Sequence, residues 1–220
     1  MSVVEYDLRI DGAEPLSKET VRRLADLCDR VESLGLEAPV TVALSGAPAL
    51  PWTVPDLALA TRWERAVRRF ERLDAATVGV AAGDVGGTAL DVLLATDVRV
   101  ASPDTRLLVP VTAGGAWPGM AIYRLVRQAG IAATRRTVLL GRAIEAAEAV
   151  ALGLLNETAD DPAEALARVA RAAAGLPGRE LAIRRRLMDD AVSTSFEEAL
   201  GAHLAACDRA LRRSTSGAGA

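Results

Sequence analysis

Apolar and polar residues follow one another along this chain in two different patterns. In the first half, short apolar runs at 3–10, 40–44, 77–82 and 98–101 have the length and composition of strands, and stretches with apolar residues at helical spacing separate them. Strands that alternate with helices favour parallel pairing in an α/β fold. After one more short strand predicted at 107–111, the second half consists mainly of helical patterns.

A glycine-rich segment at 83–87 stands between the strand predicted at 77–82 and a short helix predicted at 88–95. Such a segment predicts a turn whose unpaired backbone N–H groups, at the start of a helix, can bind a phosphate or an oxyanion. Glycines that only permit a tight turn and close packing are the alternative. The segment lacks the Gly-Lys-Ser/Thr of a phosphate loop and the three spaced glycines of a dinucleotide-binding motif.

The length and charge of the chain limit its class. A chain of 220 residues favours one domain over 1–213, with a core at 1–155 and helices at 156–213, and the small polar segment 214–220 is expected to be a disordered tail. The 26 basic and 29 acidic residues leave a net charge of −3, which gives no electrostatic footprint for nucleic acid. Every apolar run meets a charge before about 18 residues, so no membrane span is predicted.

The two cysteines give no sign of a metal site. Cys28 and Cys207 stand far apart in helical patterns and have no C-x-x-C spacing, so neither a zinc site nor a redox pair is predicted. Buried free thiols in a reducing, cytoplasmic setting are expected.

The residues around the glycine-rich segment resemble the crotonase (enoyl-CoA hydratase/isomerase) superfamily. The glycine-rich motif of that superfamily is matched without a gap by Gly83, Gly87, Thr88, Asp91 and Asp97. The Pro-Gly pair at 118–119 and the segment 140–155 are similar to two further motifs, and the resemblance covers about 40–210. It implies a ClpP/crotonase-type fold with a ββα spiral core and a C-terminal helical region. It also implies a homo-oligomer, a trimer or hexamer.

The resemblance further implies an oxyanion hole. In the superfamily, two backbone N–H groups hold the thioester oxygen of an acyl-CoA as it becomes an enolate. Carried over to this chain, Thr88 supplies one N–H beside Gly87, and Asp91 is the catalytic acid or base. Two registers are open for the second donor: one assigns it to Asp56, and the other to Pro55, which has no N–H.

Three more residues are expected at the pocket: Trp52, Val111 and Trp117. Val111 stands where hydratases of the superfamily carry a second catalytic glutamate, so ordinary hydration of an enoyl-CoA is not expected. For Asp91, a first-turn carboxylate that only interacts with the helix dipole is the alternative. The resemblance implies a coenzyme A thioester as substrate and no separate cofactor.

Within the superfamily, the segments 63–77, 89–97 and 105–125 are most similar to small crotonase-like proteins that assist dihydroxyphenylacetyl-CoA synthase, a type III polyketide synthase. This similarity implies a poly-β-keto-CoA ligand, the synthase as a partner, and a role in dehydration or aromatisation to 3,5-dihydroxyphenylacetyl-CoA. That product leads to the dihydroxyphenylglycine of glycopeptide antibiotics. A non-catalytic partner that stimulates the synthase and a generic enoyl-CoA hydratase or isomerase are the alternatives.

Overall fold

The computed structural model describes residues 6–34, 38–49, 52, 55–173 and 177–217. In this part of the chain the strands are β1 (Leu8–Asp11), β2 (Val40–Gly46), β3 (Thr77–Gly86), β4 (Val98–Ala101), β5 (Arg106–Leu108), β6 (Val111–Thr112), β7 (Gly115–Ala116), β8 (Ile144–Glu145) and β9 (Glu157–Thr158). The helices are α1 (Lys18–Leu34), α2 (Leu57–Phe70), α3 (Gly87–Leu93), α4 (Met120–Ala129), α5 (Ile131–Leu140), α6 (Ala146–Ala151), α7 (Pro162–Ala173), α8 (Gly178–Ala191) and α9 (Phe196–Gly217).

The main sheet is parallel, as the alternation of strands and helices predicted. Its order is β1-β2-β3-β4-β9, and every neighbouring pair along this path is parallel. β5 pairs with the end of β3 and carries the antiparallel β8, while β6 and β7 form a separate hairpin. The predicted α/β class is therefore confirmed.

β3 is longer than the pattern predicted, because the segment 83–87 is not a simple turn. The strand continues to Gly86 after a shift of two residues in its pairing with β2, so that Gly83 and Asp84 bulge out of that ladder. Gly83 has φ +61, a left-handed conformation that favours glycine, although a Cβ there would meet no atom within 4 Å. Beyond this bend β3 pairs with β5, and α3 starts directly at its end.

Helices cover the sheet with apolar faces. α1 and α2 bury stripes at helical spacing, and these stripes consist of Leu24, Leu27, Cys28 and Val31 on α1 and Trp63, Ala66, Val67 and Phe70 on α2. Six of the seven residues of α3 are buried, and Asp91 is partly buried. The sheet and these three helices thus enclose the core from which the site is built.

The carboxylate of Asp97 connects the core with the C-terminal helices. It accepts hydrogen bonds from the N–H and hydroxyl of Thr77 at 2.8 and 2.9 Å and from Arg185 of α8 at 2.6 and 2.7 Å. Arg185 also donates to three carbonyl oxygens in the segment 71–75. Charge-assisted bonds of this kind are among the stronger hydrogen bonds, so α8 is held firmly against the start of β3.

Four details of the sequence interpretation need correction. The first strand covers Leu8–Asp11, and residues 3–5 of the predicted run lie outside the described part. The strand predicted at 107–111 ends at Leu108, since the chain then turns into the β6-β7 hairpin. α9 continues to Gly217, so residues 214–217 extend a helix that was already formed, which costs little compared with starting one. Cys28 is buried as expected. Cys207 is exposed, because α9 packs mainly on α8 and on little of the rest of the protein.

In the described ranges no helix combines the length and the hydrophobicity that crossing a bilayer requires.

Candidate active site

A cavity of about 40 Å³ lies where the start of α3 faces α2 and the segment that leads into α4. Its lining includes Trp52, Trp63, Glu64, Thr88, Asp91 and Trp117. An open groove of about 540 Å³ between α2 and α4 lies next to it, and both are lined by Ala60, Glu64, Trp117 and Gly119. The enclosed part has room for a small group such as a carbonyl, and the groove has room for a longer chain.

The first turn of α3 points hydrogen-bond donors at this cavity. α3 begins at Gly87, whose φ is +53, and no side chain caps it at Gly86. The first N–H groups of a helix have no partner within the helix, and among the described residues none accepts a bond from the Thr88 N–H. The start of α3 therefore provides a free donor where the helix dipole also favours negative charge.

The side chain of Thr88 is a second unused donor. The residue is 7% exposed, and its Oγ1 is the one buried side-chain polar atom in the described part of the chain that has no hydrogen-bond partner. Buried hydroxyls nearly always have a partner, so an unpaired one on a residue that lines a cavity needs an explanation.

Asp91 lies one turn after Thr88 on the same face of α3 and lines the same cavity. The indole Nε1–H of Trp63 donates to Asp91 Oδ2 at 2.8 Å, and no described residue donates to Oδ1. Burial of the carboxyl raises the pKa of Asp91 to about 7, and the negative charge of Glu64 acts in the same direction. The Trp63 hydrogen bond and the positive charge of Arg124 oppose this rise. Asp91 can therefore exchange a proton near neutral pH.

Glu64 is a second carboxylate at the cavity. One of its oxygens accepts a hydrogen bond from Arg124 at 3.1 Å, and no described residue donates to the other. The Glu64 side chain is 27% exposed and the Arg124 side chain 6%. A buried guanidinium carries a positive charge and needs a negatively charged partner, and Glu64 stands beside it at the cavity.

Sequence reasoning missed Trp63, Glu64 and Arg124. Two signals were present: a Trp on a buried helical stripe needs an acceptor for its N–H, and Arg124 falls on the buried face of α4 between Ala121 and Leu125. Neither signal says which carboxylate is the partner, because that depends on how α2, α3 and α4 pack together.

Of the three further residues expected at the pocket, two line the cavity and one does not. Trp52 and Trp117 lie together at its edge, with ring centroids 5.1 Å apart and ring planes at 70°, and Gly87 also lines it. Val111 is not part of the lining and pairs with Ala116 in the β6-β7 hairpin. Val109 lines the cavity instead, because the strand before it ends at Leu108.

Asp56 is also absent from the cavity lining. It is the N-cap of α2, where its carboxylate accepts a hydrogen bond from the Leu59 N–H at 2.7 Å. Pro55 lines the cavity in its place and has no N–H to donate. The register that gave Asp56 as the second oxyanion donor therefore has no support in the described lining.

The fold and the site define a parallel α/β protein with an enclosed acid–base cavity at the start of a helix. The model of the family described as enoyl-CoA hydratase/isomerase matches residues 57–217. The chain belongs to this family.

Known proteins are similar to the chain in sequence and in fold. A protein of Amycolatopsis orientalis named "Enoyl-CoA-hydratase" is 54% identical over 210 residues, which are 95% of this chain and 97% of that protein. A probable enoyl-CoA hydratase of Mycobacterium bovis is 32% identical over 125 residues, 56% of this chain and 48% of that protein. Among solved structures, an enoyl-CoA hydratase/isomerase from Marinobacter aquaeolei superposes with a TM-score of 0.79 at 15% identity, covering 96% of this chain and 90% of the other. The predicted crotonase-type fold is thereby confirmed.

Proposed function

We propose that this protein binds an acyl-CoA, polarises the thioester carbonyl at the start of α3 and moves a proton with Asp91. One observation carries the proposal: a carboxyl with a pKa of about 7 shares a small cavity with unused donors on Thr88. Donors fixed in advance stabilise the negative charge that develops on a thioester oxygen when an α-proton leaves. A carboxyl that titrates near neutrality is suited to general acid or base catalysis.

The reaction we propose is loss of water from a β-hydroxy or β-keto-derived thioester, with two carboxylates in different roles. Glu64, paired with Arg124, removes the α-proton, and the released electron pair forms the carbon–carbon double bond. The β-carbon–oxygen bond breaks as neutral Asp91 gives its proton to the leaving hydroxyl, which departs as water. A proton returned from Glu64 to Asp91 through water restores the site. Environments that separate the protonation states of two carboxylates are the usual basis for such a division.

Glu64 thus has the role of the second glutamate of hydratases, at whose position in the sequence this chain has Val111. Because it comes from α2 and not from the segment before α4, its position relative to the substrate differs from that expected of a hydratase. The groove beyond Glu64 gives space for the part of the acyl chain that does not react.

The physiological substrate we propose is a poly-β-keto-CoA made by a type III polyketide synthase, with dihydroxyphenylacetyl-CoA as the aromatic product. The similarity of three segments to the small crotonase-like proteins that assist dihydroxyphenylacetyl-CoA synthase supports this proposal. Loss of water from such an intermediate is assisted by its acidic α-protons. The exposed apolar residues of α9, Phe196, Leu200 and Leu204, are available for the synthase or for the homo-oligomer that the family resemblance implies.

Two other functions have specific support. The Amycolatopsis orientalis relative is named for hydration of an enoyl-CoA, which favours a general hydratase. The small enclosed volume of the cavity favours a non-catalytic partner of the synthase.

The test is reconstitution of the synthase with malonyl-CoA, with and without this protein, and detection of the aromatic product by mass spectrometry. We expect the protein to increase product formation and Asp91→Asn to lose at least about 10²-fold of that increase. Asp84→Asn is the matched control, since Asp84 is an exposed carboxylate on the same strand and helix unit, paired with Arg106. Full stimulation by Asp91→Asn would favour the non-catalytic partner. Rapid hydration of crotonyl-CoA without an effect on the synthase would favour the hydratase.

A further inference from the structure

Neither residue that the sequence offers as the second backbone donor supplies an N–H to the described cavity lining. Pro55 lines the cavity and has no N–H, and Asp56 caps α2 outside that lining. A single N–H, that of Thr88, would leave a developing oxyanion with weak support, because each donor of this kind contributes roughly 10²–10³ in rate.

Thr88 itself has a hydroxyl where the glycine-rich motif of the family has no side chain. Only Cα and Cβ separate the N–H from Oγ1, so both hydrogens can converge on one acceptor oxygen. The usual partner of a helical threonine hydroxyl is a carbonyl in the preceding turn, as Thr96 and Thr134 show by donating to Leu93 O and Gly130 O. Among the described residues Thr88 Oγ1 has no such acceptor, although it is buried and belongs to a residue that lines the cavity.

We infer that the Thr88 hydroxyl is the second donor of the oxyanion site and bonds the thioester oxygen together with the Thr88 N–H. The inference rests on the proposed function, because it needs a thioester in this cavity. It explains the unpaired hydroxyl, since a donor without a partner in the protein is satisfied when the substrate carbonyl binds. The ligand that it selects is a neutral carbonyl oxygen that gains negative charge.

Thr88→Val and Thr88→Ser test this role, and both variants keep the backbone N–H. Valine has the shape of threonine without the hydroxyl, and serine keeps the hydroxyl without the methyl group. The probe is acetoacetyl-CoA labelled with ¹³C at the thioester carbonyl. We expect binding to the wild type to move the carbonyl resonance downfield, Thr88→Ser to keep most of this shift, and Thr88→Val to lose about half or more of it.

Rates and stability give two further readouts. Exchange of the α-protons of the same thioester with solvent should fall by about 10²-fold in Thr88→Val and by less than about 5-fold in Thr88→Ser. A hydroxyl with a purely structural role would make Thr88→Val less stable. We instead expect its Tm to rise by about 2–4 °C, because an unpaired buried hydroxyl is removed.

The outcomes separate this inference from the proposed function. Equal carbonyl shifts and equal exchange rates in the wild type and Thr88→Val, with the labelled thioester bound to both, would overturn the inference and leave the function standing. Failure of the wild type to bind the thioester would overturn both. A Thr88→Ser variant as impaired as Thr88→Val would also contradict the role of the hydroxyl.

Discussion

Replacing Asp91 with asparagine should stabilise the folded protein, and the gain should depend on pH. Asparagine is uncharged and can still accept the Trp63 hydrogen bond, so it mimics the neutral form of Asp91 that burial favours. In the folded state the pKa of Asp91 is about 7, against an ordinary value of 3.8 for the unfolded chain. Between these two pKa values, the folded state therefore holds a proton that the unfolded state has already released.

The sign and size of the effect follow from this difference. The contribution of Asp91 to the free energy of unfolding of the wild type is fully present below about pH 4. It is lost as the pH rises to about 7, because ionisation of Asp91 favours the unfolded chain. The loss is on the order of 4 kcal/mol, at about 1.4 kcal/mol for each tenfold change in proton affinity. The advantage of Asp91→Asn over the wild type should thus be close to zero near pH 4 and reach its full size above pH 7.

Urea unfolding of both proteins between pH 4 and pH 8 measures this advantage. Asp84→Asn is the control, because it removes a surface ion pair with Arg106 that contributes about 1 kcal/mol or less. An advantage that does not change with pH, or a variant less stable than the wild type at pH 8, would refute the conclusion that Asp91 is a buried neutral acid.

Other predictions address the second carboxylate, the hydrogen bond to Asp91 and the packing of α8. The rate of the proposed dehydration should fall as the pH rises through about 7. Glu64→Gln should move this falling limb of the pH–rate profile to lower pH, because it removes a charge that raises the pKa of Asp91. The same variant should reduce the rate by about 10²- to 10⁴-fold. Trp63→Phe should move the same limb to higher pH, because the Trp63 hydrogen bond lowers the pKa of Asp91 and the variant lacks it. A limb that does not move would contradict either assignment. Gly178→Ala should lower the unfolding free energy by about 2 kcal/mol or more in thermal melts, because its Cβ would lie 1.7 Å from Asp74 O; an unchanged Tm would show that α8 packs more loosely.

The parallel sheet and its covering helices could be predicted because their patterns are local. Apolar runs and helical stripes depend on residues close in sequence, and the motif from Gly83 to Asp97 fixed the order of strand, bend and helix. The strand that continues through Gly83 could not be predicted, since its second half is held by β5, and that pairing is a long-range contact. The position of Val111 failed for a similar reason, because the hairpin that removes it from the cavity depends on Ala116.

The site was predicted only where one helix defines it. Thr88 and Asp91 share a face of α3 by spacing alone, and their common cavity agrees with that expectation. Glu64 and Arg124 come from two other helices, and a charged pair on helical faces is usually a solvated one. Their role at the cavity follows from packing that the sequence pattern does not specify.

The most direct test of the account is α-proton exchange of acetoacetyl-CoA in deuterated water, followed by mass spectrometry, for the wild type and Glu64→Gln. Exchange requires both polarisation of the thioester at Thr88 and removal of the α-proton by Glu64, and it needs no partner protein. The account predicts that the wild type accelerates deuterium uptake over buffer and that Glu64→Gln is slower by at least about 10²-fold. Equal uptake with both proteins, or none above buffer with the wild type, would contradict it.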